Sequence, residues 1–196
     1  MKRNKRPHPL AASPRRRAMR GHTLFEAVTV LGILAGALGM AGPALGSMLA
    51  SARLGAGSEM MLANLQLARG EAIKRNARVV VCPSADGLTC SSSIDWENGA
   101  IVFQDTNNNG ARDPAEPLVS HQQPLPPGTH VSGNSTLGSY VSYAPDGQAR
   151  HVGSGAFEAG TLTLCHPGAA PSEARQIVIN SGGRPRTQKL VVPQCS

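Results

Sequence analysis

The sequence predicts an α+β fold, with one long N-terminal helix followed by a small antiparallel β domain. Three observations carry that prediction. Residues 27–52 contain no charged side chain, between Glu26 and Arg53. Helical spacing of apolar residues then continues to about residue 76. From Val79 the apolar runs shorten to strand length and are separated by clusters of Pro, Gly, Asn and Ser.

The 196 residues suffice for one ordinary domain plus an anchor. Net charge is +7, but residues 1–21 hold eight of the 19 basic residues and none of the 12 acids. From His22 onward, 11 basic residues face 12 acidic ones. The basicity is therefore local, which argues against a nucleic-acid-binding arm as the meaning of the whole chain. A Lys/Arg-rich flank beside an apolar span stays on the cytoplasmic side. The expected topology is single-pass, with the N-terminus cytoplasmic and the C-terminal domain on the outer side. A cleaved secretory signal is a poorer reading, because the apolar run continues past the small residues 41–46.

Glu26 stands at the start of the apolar run, where a carboxylate is costly unless paired. A cut after Gly21 would create an α-amine on His22, four residues away. In a packed bundle a neighbour's amine could neutralise Glu26 and set the axial register between subunits. The expected segments are a leader (1–21), a transmembrane half-helix (22–52), an exported half-helix (53–78) and a β domain (79–196).

Leu54, Met61, Leu65, Ala68 and Ala72 form the helical stripe expected to pack on the sheet. Strands are expected at 78–82, 100–104, 139–143, 161–165, 176–179 and 189–192, with a surface loop at 124–138. Cys82, Cys90, Cys165 and Cys195 all lie in the exported part. An even count there favours two disulfides. Three pairings exist, and the sequence-local Cys82–Cys90 and Cys165–Cys195 are favoured. By chain entropy the first contributes about 2.5 kcal/mol and the second about 3.5 kcal/mol. A zinc site lacks the usual short Cys spacing.

Gly21-His22-Thr23-Leu24-Phe25-Glu26 resembles the type IV prepilin cleavage motif, with His22 in place of the usual Phe. The resemblance implies that a prepilin peptidase cuts the Gly21–His22 bond and methylates His22, with Glu26 as the register acid. It implies a type IV pilin-like fold. Further along, Glu71-Ala72-Ile73-Lys74-Arg75-Asn76-Ala77-Arg78 runs into Val79-Val80-Val81-Cys82-Pro83. Trp96, Phe103-Gln104-Asp105 and Gly183-Arg184-Pro185-Arg186 follow. These are similar to the GspH/FimT family of minor pilins and pseudopilins. The resemblance implies a minor pilin of the type IV pilus, partnered by other pilins through the N-terminal helix. The alternative it implies is a minor pseudopilin of a type II secretion system.

In the FimT branch the Gly-Arg-x-Arg element is associated with DNA binding in natural transformation; few aromatics lie near it here to stack bases, so double-stranded DNA is the expected partner. The candidate DNA-binding set here is Arg184, Arg186, Arg175 and Lys189. Arginine's planar fork suits phosphate, and such contacts are salt-sensitive and independent of base sequence. A solvated turn is the competing reading. Asp105, Asn107, Asn109, Asp113 and Glu116, with Gly110 between, match the spacing of a calcium loop. No helices flank it, and Asn-Gly is also a hairpin signal, so a structural turn competes with a weak calcium site. No other cofactor is expected. His121, His130, His151 and His166 are scattered without nucleophile partners, and no enzyme is expected.

Overall fold

The computed structural model describes residues 23–93, 95–168 and 171–195, with the side chains of 40–44, 135 and 136 outside that description. Gly21 and His22, the expected cleavage site, lie outside the described residues. Helix α1 spans Leu24–Arg75. The chain divides into two compact units, Met1–Ala44 and Leu45–Ser196.

In the first unit, Thr23 caps the helix. Its Oγ1 accepts the Glu26 N–H at 3.3 Å and its carbonyl accepts the Ala27 N–H at 3.1 Å. Leu24, Phe25, Val28, Val30, Leu31, Ile33, Leu34 and Leu38 are all exposed. They point to every side of the helix, so this stretch has no polar face. Among the described residues no helix is long and apolar enough to cross a membrane. The uncharged run passes through residues 40–44, whose side chains are not described.

The second unit holds the rest of α1 and eight strands. These are β1 (Val79–Pro83), β2 (Ala100–Gln104), β3 (Leu118–Gln122), β4 (His130–Gly133), β5 (Val141–Tyr143), β6 (Gly160–Cys165), β7 (Ser172–Ile179) and β8 (Pro185–Val192). They form two four-stranded sheets, in the orders β3-β2-β1-β5 and β4-β6-β7-β8, with antiparallel pairing throughout. The expected single sheet is thus two. The expected loop at 124–138 contains β4.

The helical stripe Leu54, Met61, Leu65, Ala68 and Ala72 is buried in one core with residues from both sheets. Val79, Val81, Ala100 and Val102 face that core from the first sheet; Leu162, Leu164, Ile177 and Ile179 face it from the second. Val80, Cys82, Ile101 and Phe103 point the other way and make a second small core with Cys90, Tyr140 and Val152. Burial on both faces explains why β1 and β2 read as continuous apolar runs. Trp96 is the largest fully buried side chain, and its indole N–H donates to the Gly138 carbonyl at 2.9 Å.

Disulfides join Cys82 to Cys90 and Cys165 to Cys195, the two sequence-local pairings. The first closes a loop that covers the second core. The second ties the end of the chain to β6, across β7.

Candidate functional site

The Gly-Arg-Pro-Arg element closes the β7–β8 hairpin. Asn180 organises the turn: its carbonyl accepts the Gly183 N–H at 2.8 Å and its Oδ1 accepts the Arg184 N–H at 3.1 Å. Gly183 has φ +70°, and a Cβ there would stand 2.2 Å from the Gly147 carbonyl oxygen. That same oxygen accepts the Arg69 Nε–H at 2.9 Å. The glycine is therefore required by close backbone approach.

The four candidate cations are not brought to one surface. Register places Lys189 opposite Arg175, on the side of the second sheet that faces α1, whereas Arg186 lies opposite Val178 on the other side. Arg175 is only 5% exposed. It donates to Glu173 Oε1 at 2.8 Å and to Ser51 Oγ at 3.3 Å. The Arg175 guanidinium, followed by the Ser51 hydroxyl, holds the Glu173 carboxyl below its ordinary range. Arg175 is thus a buried structural cation. Arg184, Arg186 and Lys189 are exposed and form no ion pair among the described residues.

The structure puts a fifth cation, Arg69 of α1, beside Arg184. Gln66, Arg69, Gly70, Ile73, Arg184 and Pro185 line a hollow of about 410 Å³. A second hollow of about 370 Å³ lies along the same strand, between Gly55, Ser58 and Glu59 of α1 and Thr187, Gln188 and Lys189 of β8, with Arg175 at its side. No sequence signal links the helix positions to β8, because their proximity depends on the β7–β8 register.

The Asp105 loop is held by its own side chains. Asp105 accepts the Asn109 and Gly110 N–H groups, and Glu116 accepts those of Thr106 and Asp113. Asp113 accepts the amides of Asn107 at 2.6 Å and Asn109 at 3.2 Å. The five expected calcium ligands are therefore engaged with donors of the loop itself. The loop also packs: Gly110 lies against Val152 and Tyr140, over the second core. Arg112 donates to the Leu88 carbonyl, joining it to the first disulfide loop. Among the described residues no group of three His, Cys, Asp or Glu could hold a metal ion. The histidines sit apart: His130 meets Glu97, His151 approaches Glu158, His166 meets the Gly128 carbonyl, and His121 lies against Gly87.

The N-terminal site is visible only from Thr23 onward. Glu26 is exposed in the first turn of α1, where its charge suits the helix dipole.

Two kinds of comparison place the chain among known proteins. No curated protein matches its sequence. Two crystal forms of the type IV minor pilin FimU of Pseudomonas aeruginosa share the fold. One matches with a TM-score of 0.54 at 20% identity, covering 73% of this chain and 95% of that one. The other matches with a TM-score of 0.52 at 17% identity, covering 72% and 98%. The minor pseudopilin EpsH of Vibrio cholerae matches with a TM-score of 0.46 at 14% identity, covering 71% and 97%. The family described as type II transport protein GspH matches residues 58–183, well over half the chain. With α1 packed on antiparallel sheets and that match across the second unit, the chain belongs to the GspH family of minor pilins and pseudopilins.

Proposed function

We propose that the chain is a minor pilin of a type IV pilus, held by the start of α1 in the inner membrane before it enters the fibre. The observation that carries this reading is the all-round exposure of apolar side chains from Leu24 to Leu38 around the lone acid Glu26. Such a surface needs lipid or neighbouring helices to cover it. A prepilin peptidase removes residues 1–21 at the Gly21–His22 bond and methylates His22, and the neighbour's new amine meets Glu26. The globular unit then stands in the periplasm, joined through α1 to other pilins.

The test is processing and assembly in the native host. Gly21→Val should leave an uncut precursor on immunoblots, and Glu26→Ala should be cut normally yet fail to enter sheared fibres. Normal fibre entry of Glu26→Ala would refute the register argument. Deletion of the chain should reduce surface pili. If it left pili intact and abolished protein secretion instead, the chain would be a pseudopilin of a type II secretion system, the reading favoured by the family's description.

A second role rests on Arg184 and Arg186, exposed and in no ion pair among the described residues. On this reading they grip the phosphates of duplex DNA during uptake, and Arg175 takes no part. Arg184→Gln with Arg186→Gln should abolish mobility shifts at low salt and spare piliation. Unchanged shifts would sink the role. Calcium has no part in this proposal.

A further inference from the structure

We propose that the outer edge of β8, with the face of α1 beside it, is a docking groove for an extended acidic segment of a different polypeptide, which adds as a fifth strand. This goes beyond assembly through the N-terminal helix and is independent of whether the machine is a pilus or a secretion system.

The first observation is the edge itself. β8 is eight residues long and is the last strand of its sheet, paired with β7 on one side only among the described residues. Alternate residues of such a strand direct N–H and C=O groups outward, a ready template for another strand. Val191, near its end, is 66% exposed.

The second observation is the space beside it. The two hollows, of about 370 and 410 Å³, lie along one strand from Lys189 to Arg184. Their helix walls include Gly55, Glu59, Gln66, Gly70 and Ile73, whose spacings of four, seven, four and three put them on one face of α1. From Gly55 to Ile73 that face is roughly 27 Å long, enough for a strand of about eight residues. A Cβ at Gly55 or Gly70 would meet nothing within 4 Å, so an incoming backbone can approach the helix closely. Within the groove Thr187 Oγ1 is buried and has no hydrogen-bond partner among the described residues.

Charge selects the occupant. Residues 184–192 contain Arg184, Arg186 and Lys189 and no acid, and Arg69 stands across the groove from Arg184. Glu59 is the one carboxylate among the residues lining the two hollows. A second copy pairing through β8 would set cations against cations, so Pro185, Arg186 and Lys189 guard the edge against self-association. A segment alternating acids with β-branched residues would set its acids on the α1 side, where Lys189 and Arg69 stand, and extend the sheet beside α1.

The test uses the full chain in detergent micelles and the peptide acetyl-Glu-Val-Glu-Thr-Glu-Val-Thr-Val-amide. The basic N-terminus also attracts acids, so amide hydrogen exchange at β8 is the readout. The peptide should protect outward amides of Thr187–Val192. Of two versions N-methylated at alternate residues, one should keep that protection and the other lose it. Lys189→Glu should weaken binding about tenfold, equivalent to about 1.4 kcal/mol. Gly55→Leu and Gly70→Leu should do the same by filling the groove, while the far-ultraviolet circular dichroism and melting temperature of the parent are kept. The proposal is overturned if β8 gains no protection at millimolar peptide, or if both methylated peptides protect equally. It is equally overturned if a 20-base-pair duplex protects β8 where the peptide does not, or if sedimentation shows a dimer that Gly55→Leu dissolves.

Discussion

Replacing Gly183 by Ala separates the structural role of the Gly-Arg-Pro-Arg element from any role of its arginines. The left-handed backbone at φ +70° becomes unfavourable for a residue with a Cβ, at about 1 kcal/mol or more. The new Cβ would also stand 2.2 Å from the Gly147 oxygen and 3.0 Å from the Ala149 nitrogen. Both obstacles are backbone, so the hairpin must move. Moving it disturbs the Gly183–Asn180 and Arg184–Asn180 hydrogen bonds, each worth about 1 kcal/mol net. The expected loss is about 3 kcal/mol. For a domain of this size that lowers the melting temperature by roughly 6–12 °C. Urea unfolding followed by Trp96 fluorescence reads the change directly. Arg184→Gln and Arg186→Gln, both exposed, should stay within about 0.5 kcal/mol of the parent. If Gly183→Ala lay within that same margin, the close approach of the two turns would not exist as described.

Replacing Cys165 and Cys195 by Ser should cost about 3.5 kcal/mol, and Cys82 and Cys90 about 2.5 kcal/mol, measured by denaturant midpoint. Trp96→Phe removes the donor to the Gly138 carbonyl and should cost about 1–3 kcal/mol, read as a lower melting temperature. Acid should destabilise the fold. The Asp86 carboxyl is held low first by the Thr89 N–H, and that of Glu173 first by Arg175. Both folded-state values lie below the unfolded ones, so this stability is complete above about pH 5 and fades as pH falls through about 4 and lower. Asp86→Asn should flatten the dependence of unfolding free energy on pH in that window.

What the sequence disclosed follows the strength of each physical signal. The stripe from Leu54 to Ala72 was legible because a helix against a sheet repeats its apolar face with little freedom. The runs at 79–83 and 100–104 were legible because strands buried on both faces are apolar throughout. β3 and β4 were not, since Leu118–Gln122 and His130–Gly133 are short edge strands of mixed polarity, next to prolines and glycines. The candidate cation set failed as a set for two reasons. Arg186 and Lys189 are three apart on one strand, and that odd spacing puts them on opposite faces. Arg175 depends on the β7–β8 register, which fixes its place opposite Lys189 and under Ser51. The calcium-loop spacing was legible as a pattern, but the same oxygens suit a turn that caps its own amides.

The near-neutral charge of the second unit conceals a field that only the structure resolves. Six of its acids accept from neighbouring donors. Asp86, Asp105, Asp113 and Glu116 accept donors from their own loops; Glu71 accepts from Arg75 and Lys74, and Glu173 from Arg175. Asp86, Asp105, Asp113 and Glu116 keep their charge, because neutral N–H and O–H donors do not cancel it, whereas Glu71 and Glu173 each have an oppositely charged partner. Arg184, Arg186 and Lys189 have no such partner among the described residues. The formal count alone predicts a surface with no preference, whereas Arg184, Arg186 and Lys189, with no acid in residues 184–192, make a positive edge along β8. Any polyanion or acidic strand approaching the second sheet would be steered to that edge. Its association rate should fall with added salt even though the unit's formal charge is close to zero.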